Sequence, residues 1–148
     1  MKINKCDFLI IGGGIFGVYA ALFLSRQFKV ILIEKADQLF TKASIINQAR
    51  VHSGYHYPRS VSTAKMSDSY KKRFINEHKN YINKNFNHYY GIEKEMSFTN
   101  AKQFERFCSH IKAKYSKVSA NKNINLSKFE ALYLVEEFSF DPILIAEF

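Results

Sequence analysis

Gly12, Gly14 and Gly17 stand in a G-x-G-x-x-G spacing, and an acid, Glu34, follows about 20 positions on. Residues of these types at this spacing can grip a pyrophosphate and a ribose. Gly12 allows a tight turn, and Gly14 lets the backbone approach phosphate oxygens. Gly17 lets a helix pack closely on a strand, and the positive end of that helix faces the phosphate charge. Glu34 is placed to accept hydrogen bonds from the adenosine ribose hydroxyls, and its charge repels a 2′-phosphate.

Such a grip needs a strand, a helix and a second strand in fixed order. Phe8–Ile11 is a continuous apolar run, the pattern of a parallel strand buried on both faces. Residues 15–26 are helix-compatible, and Val30–Ile33 is a second buried strand that delivers Glu34. The competing reading of 8–24 is a signal or membrane segment, since Lys2 and Lys5 precede it. It fits poorly, because Ser25-Arg26-Gln27 follows where a small-residue cleavage site belongs and three consecutive glycines weaken a spanning helix. The expected unit is a βαβ dinucleotide site, with no integral membrane segment.

The stretch Thr41–Ser60 gathers Asn47, Gln48, Arg50, His52, His56 and Arg59 around Gly54, without apolar periodicity. It reads as a donor-rich loop, and Tyr55 and Tyr57 among the donors suggest a surface that meets a flat polar ligand. His52 either orients a ring or carboxylate of such a ligand or bonds loop backbone, since neutral imidazole offers one donor and one acceptor. Arg50 is either a ligand contact or a solvated charge. His56 and Arg59 read as structural.

With "DFLIIGGGIFGVYAALFLSRQFKVILIEK" and "INQARVHSGYHY", the chain resembles the N-terminal half of FAD-dependent oxidoreductases of the D-amino-acid oxidase (DAO) superfamily. "VHSGYHY" is most similar to the L-2-hydroxyglutarate and glycerol-3-phosphate dehydrogenase branches. Weaker similarity extends through "HYYGIEKEMSFTNAKQFERFC" and "VEEFSFDP". The resemblance implies FAD as cofactor, with Gly12, Gly14, Ile15, Phe16, Gly17 and Glu34 at its adenosine end and Lys35 beside the adenosine. It implies Ser44, Asn47, Gln48, Arg50 and His52 along the pyrophosphate, ribityl chain and flavin. It implies an oxidoreductase taking hydride from a C–H bond next to an amine or hydroxyl of a small, carboxylate-bearing substrate. Its electron acceptor is not indicated, and no catalytic acid or base is assigned beyond His52 as a candidate. The fold class expected is α/β: a Rossmann-like βαβ FAD/NAD(P)-binding domain, truncated, with the start of an α+β substrate domain. Residues 1–60 form the dinucleotide unit and flavin-contacting loop, and 61–148 a helical or α+β segment of a substrate or cap domain. Two other readings compete: an NAD-binding domain sharing the βαβ start, and an inactive remnant or nucleotide-binding module that needs a partner chain.

In the second half, Tyr70, Phe74, Ile75, His78, Tyr81 and Ile82 follow helical spacing. Tyr89–Ile92 and Ala131–Val135 read as strands, and residues 116–127 as a polar loop. Asn100 with Gln103 is a capping box opening a helix whose inner face carries Phe104, Phe107, Cys108, Ile111 and Tyr115. Cys108 on that stripe is expected as a buried thiol. Cys6 and Cys108 match no metal or redox spacing, so no metal site and a reduced, cytoplasmic chain are expected. At 47% hydrophobic and 16% aromatic residues, the chain folds. The net charge of +9 comes without any nucleic-acid module, and Lys71-Lys72-Arg73 reads as a solvated helix face, so no nucleic-acid partner is expected. Asp141-Pro142 is a helix start, and the apolar run behind it reaches Phe148 within two turns, so the chain reads as cut.

Overall fold

The computed structural model describes residues 5–46 and 49–146. They fall into two compact units: the residues up to Ala49 with those from Asp141 onward, and Arg50–Phe140. Residue 60, the expected end of the dinucleotide unit and flavin-contacting loop, lies inside the second unit.

In the first unit, β1 (Phe8–Ile11) pairs in parallel with β2 (Val30–Ile33), Phe8 opposite Val30 and Ile11 opposite Ile33. Helix α1 (Ile15–Leu24) connects them, and a single turn, α2 (Ala43–Ile46), follows. Apolar, largely β-branched strands separated by a crossover helix are what parallel pairing requires. The expectation of strands buried on both faces is not met. Leu9 is 53% and Ile11 82% exposed, and α1 buries none of its residues. A two-stranded sheet with one helix against it has too few neighbours to cover both faces.

The second unit holds β3 (Arg50–Val51), α3 (Val61–Glu77), β4 (Ile82–Asn83), β5 (His88–Glu93), α4 (Ala101–Ile111), β6 (Tyr115–Val118), β7 (Phe129–Val135) and β8 (Phe138–Phe140). Two antiparallel three-stranded sheets result, ordered β3-β8-β4 and β5-β7-β6. Tyr55, Ala64, Ile92, Phe104, Phe107, Cys108 and Tyr133 belong to one buried cluster. The capping box is present in full: Gln103 N–H donates to Asn100 Oδ1 at 2.8 Å, and Asn100 N–H donates to Gln103 Oε1 at 2.9 Å. Back in the first unit, α5 (Pro142–Ala146) starts as its sequence indicates, with Asp141 Oδ1 accepting the Ile143 and Leu144 amides at 2.9 and 3.2 Å.

Two expectations are corrected. The helical stripe does not run to Ile82: α3 ends at Glu77, where His78 leaves helical geometry (φ −124°, ψ 37°), and Tyr81 and Ile82 fall in a 3₁₀ turn and in β4. No glycine or proline marks that break, which is made by pairing of β4 with β8. Residues 116–127 are not loop throughout. Their first part completes β6, whose Ser116–Val118 pair with Leu134–Leu132 of β7, and this non-local pairing overrides a polar composition.

Candidate functional site

In the first unit each glycine of the turn has a different physical reason. Gly12 has φ +110°, in the region that L side chains rarely adopt. A Cβ on Gly17 would stand 2.0 Å from the Gly12 carbonyl oxygen, so close passage of helix over turn demands its absence. A Cβ on Gly13 would lie 2.5 Å from Leu39. Gly14 differs: its φ is −73°, and a Cβ there would meet only Ser44 Oγ at 3.7 Å. The unit's own packing does not require a glycine at 14. It leaves open space at the N-terminus of the ten-residue helix α1.

Gly14 caps α1 without any side-chain bond, and Ser44 supplies the missing acceptor: Ile15 N–H donates to its Oγ at 3.1 Å. This contact brings Ser44, 29 residues away, to the glycine turn. Glu34 is held from two sides. Gly13 N–H donates to Oε2 at 2.5 Å, and the Lys35 and Ala36 amides donate to Oε1 at 2.8 and 3.0 Å. The amides of Ala36 and then Gly13 lower its carboxyl pKa, so the group is an anion at neutral pH. Oε2, with a single amide bond, retains capacity for a further donor. A cradle that a Cβ would fill, a helix N-terminus and a fixed carboxylate fit a pyrophosphate and a ribose diol. Lys35 and Phe16 are exposed beside them, Phe16 at 89%. Asn47 and Gln48 lie outside the described residues.

In the second unit a polar cluster forms around Glu137, between β7 and β8. Pairing of Arg50 with Ser139 and Val51 with Phe138 brings residues 50–53 alongside it. The Glu137 side chain is fully buried. Its Oε1 accepts the Ser53 amide at 2.7 Å, and its Oε2 accepts the Tyr90 hydroxyl at 3.2 Å. Arg50 Nη1 is 3.7 Å from Oε2 and donates to Tyr90 Oη at 3.3 Å. His52 Nδ1 is 3.9 Å from Oε1, too far for a hydrogen bond, and is buried with no hydrogen-bond partner among the described residues. The His56 ring lies 4.7 Å from that of His52 and 4.9 Å from that of Tyr90. Burial lowers the His52 pKa, with Glu137 opposing it and Arg50 adding to it. Burial and the neighbouring His52 and Arg50 charges lower that of His56 to about 4. Both imidazoles are therefore neutral at pH 7. Tyr90 is pushed up, by burial first and then by Glu137, and stays a hydroxyl donor.

The chain matches the model of the family DAO, described as FAD dependent oxidoreductase, over residues 7–131. It belongs to that family. The match covers both the glycine turn and most of the second unit. Over 74 residues, 49% of its length, this DAO-family chain is also 39% identical to an FAD-dependent monooxygenase, FPY4, of Fusarium mangiferae. The matched part spans 20% of that relative. FAD dependence is what the description of that family carries. No helix among the described residues is long and apolar enough to cross a membrane, and none of their His, Cys, Asp and Glu side chains form a group of three or more able to hold a metal.

The structure groups the sequence-derived residues of this DAO chain into two sets. Gly12, Gly14, Ile15, Gly17, Glu34 and Ser44 converge in the first unit, whereas Arg50 and His52 belong to the second, with Glu137. The loop expected over 41–60 is present in residues 52–60, which form neither helix nor strand, but it is only partly solvated: Val51, Ser53 and Tyr55 are buried, and Tyr55 Oη donates to the Lys114 carbonyl at 2.5 Å. Tyr55 is thus a core residue and no surface for a flat ligand. Pairing with β8, more than eighty residues on, buries a segment whose own sequence shows no strand period. Cys108 is fully buried as expected, its thiol pushed up to about 12 by burial. Lys72 and Arg73 pair with Asp68 and Glu77 at 3.0 and 2.7 Å on a solvated helix face, whereas the Lys71 side chain, 3.0 Å from Asp68, is mostly buried, which departs from the expectation. Glu137 and Tyr90 were not singled out by sequence reasoning. A signal existed for Glu137: alternation places it on the inward side with Tyr133 and Val135, an expensive position for a carboxylate without partners.

Proposed function

We propose that the first unit grips the adenosine-diphosphate half of FAD in an oxidoreductase that oxidises a C–H bond next to an amine or hydroxyl of a small, carboxylate-bearing substrate. One observation carries the reading: Gly14 is the glycine of the turn that neither backbone conformation nor packing demands, and the space it leaves lies over the N-terminus of α1. In this reading the pyrophosphate occupies that space, with Ser44 beside it. Glu34, held as an anion by three backbone amides, accepts a ribose hydroxyl through Oε2, and Lys35 lies next to the adenosine. Ile15 and Phe16 contribute the first turn of the helix, and Gly12 and Gly17 shape it. Asn47, Gln48, Arg50 and His52 are assigned by resemblance to the remainder of the cofactor or to the substrate carboxylate. Bound FAD supplies the hydride-accepting chemistry. The chain's own residues bind and orient, and His52, neutral at pH 7, is able to hold or release one proton. The Val51–Tyr57 segment supports placement near the L-2-hydroxyglutarate and glycerol-3-phosphate dehydrogenase branches, and the 20% span of the curated relative supports reading this chain as one portion of a larger enzyme.

The test is Gly14→Val. The protein should keep its fold, since the nearest obstacle to a Cβ is a serine hydroxyl, and should lose FAD, read from absorbance near the flavin bands after gel filtration. A variant that stays yellow would sink the assignment. A second reading is favoured by the relative's description: the same cofactor grip serving a monooxygenase. Substrate-dependent oxygen uptake with oxygen incorporated into product would distinguish it from a dehydrogenase, which passes electrons on without that incorporation.

A further inference from the structure

Glu137 is the point at which four neighbours meet, three from residues 50–53 and one, Tyr90, from β5. Its two oxygens receive the Ser53 amide and the Tyr90 hydroxyl, and the Arg50 guanidinium and His52 imidazole lie at 3.7 and 3.9 Å. The Ser53 hydroxyl adds a bond to the adjacent Glu136 carbonyl at 2.9 Å, so the strand exit at 52–53 is tied twice to the β7–β8 link. Gly54 then turns with φ +93°, its missing Cβ leaving room for the backbone of Ala64. A fully buried carboxylate is costly unless it is paired, and here every partner belongs to or touches the Arg50–His56 segment. The cluster borders the apolar core, to which Tyr55 and Val135 belong and against which Tyr90 packs, and all of its bonds to Glu137 come from the Arg50–His56 segment or from Tyr90.

We propose that Glu137 is a positioning residue that fixes Arg50 and His52. It holds the Ser53 backbone with one oxygen and the Tyr90–Arg50 pair with the other. The assignment rests on the cofactor reading only in giving Arg50 and His52 a ligand to meet. Around the His52 ring stand Arg50 from β3, His56 from the following turn, His88 from β5 and Glu137 from the β7–β8 link, while Tyr90 packs against His56 and Ser67 of α3 bonds the His52 carbonyl at 3.2 Å. Among these groups Glu137 is the anion, so its charge favours a proton on His52 while the others oppose or do not affect it.

The experiment is a histidine Cε1–Hε1 NMR titration of the full chain between pH 4 and 8, with His52 assigned through His52→Asn. In Glu137→Gln, which keeps shape and an acceptor for Ser53, His52 should bind its proton roughly ten-fold more weakly. An unchanged His52 midpoint in a folded variant would overturn the assignment and leave Glu137 a purely structural carboxylate. If Glu137→Gln does not fold, Tyr90→Phe reads the same carboxylate from its other oxygen. Freed of the hydroxyl donor, Glu137 should strengthen proton binding at His52, and no change there would overturn the assignment equally. The cofactor reading fails separately, through a Gly14→Val protein that keeps its flavin, because the His52 titration needs no flavin.

Discussion

The glycine turn of the first unit and the Glu137 cluster of the second solve the handling of charge in opposite ways. The turn presents backbone: amides, a helix end and a carboxylate held by Gly13, Lys35 and Ala36, all within a span of 25 residues. The cluster presents side chains, from Arg50 through Tyr90 to Glu137, gathered across nearly ninety residues and enclosed by the fold. A backbone device needs correct spacing and absent side chains, so its failures are steric. A buried side-chain device needs complete pairing, so its failures are electrostatic.

The largest expected difference is between two substitutions in the turn itself. Gly17→Val drives a Cβ into the Gly12 carbonyl and should cost both the fold of the first unit and flavin binding. Gly14→Val should cost flavin binding alone. Far-ultraviolet circular dichroism and thermal melts on both variants check this, and equal melts would break the distinction between a packing glycine and a ligand glycine.

Next is Glu137→Ala. It orphans the Ser53 amide and removes the buried carboxylate beside Arg50, a loss of about 3 kcal/mol by the usual cost of breaking a buried pair. Urea denaturation measures it, and a loss below about 1 kcal/mol would place the cluster with exposed ion pairs. Glu34→Ala in the first unit frees the Gly13, Lys35 and Ala36 amides, so it should lower the stability of the turn as well as weaken FAD retention about ten-fold or more, as expected for losing a hydrogen bond to a charged group. Unaltered affinity in a flavin titration would remove Glu34 from the adenosine site.

Acid should separate the two regions further. His52, His56 and His88 in the second unit all have lowered folded-state pKa values, burial being the first cause of each. The unfolded chain then binds protons more readily, so their contribution is present above pH 6.5 and is lost as pH falls towards about 4, the folded value of His56. The urea midpoint of the second unit should drop between pH 7 and pH 4.5, and His56→Gln should flatten part of that slope. A midpoint independent of pH would contradict burial as the cause.

The smallest effect concerns the two thiols. Cys108, fully buried with its pKa pushed up to about 12, should resist iodoacetamide at pH 8 in the folded protein, while partly exposed Cys6 is alkylated. Equal labelling, resolved by peptide mass, would show that the core around α4 opens readily.

The sequence by itself determined what depends on neighbours along the chain. The G-x-G-x-x-G turn, the two apolar strands, the acid at their end, the Asn100–Gln103 box and the Asp141-Pro142 helix start are all local, each set by a glycine's freedom, a side-chain period or a capping oxygen. The tertiary structure alone decided the rest. It brought Ser44 to the helix it caps, buried Tyr55 in a segment that reads as loop, ended α3 by pairing β4 with β8, and made β6 from polar residues. It also assembled a charged cluster around Glu137, because β3 and β8 pair across more than eighty residues and a two-residue strand carries no period to announce its partner.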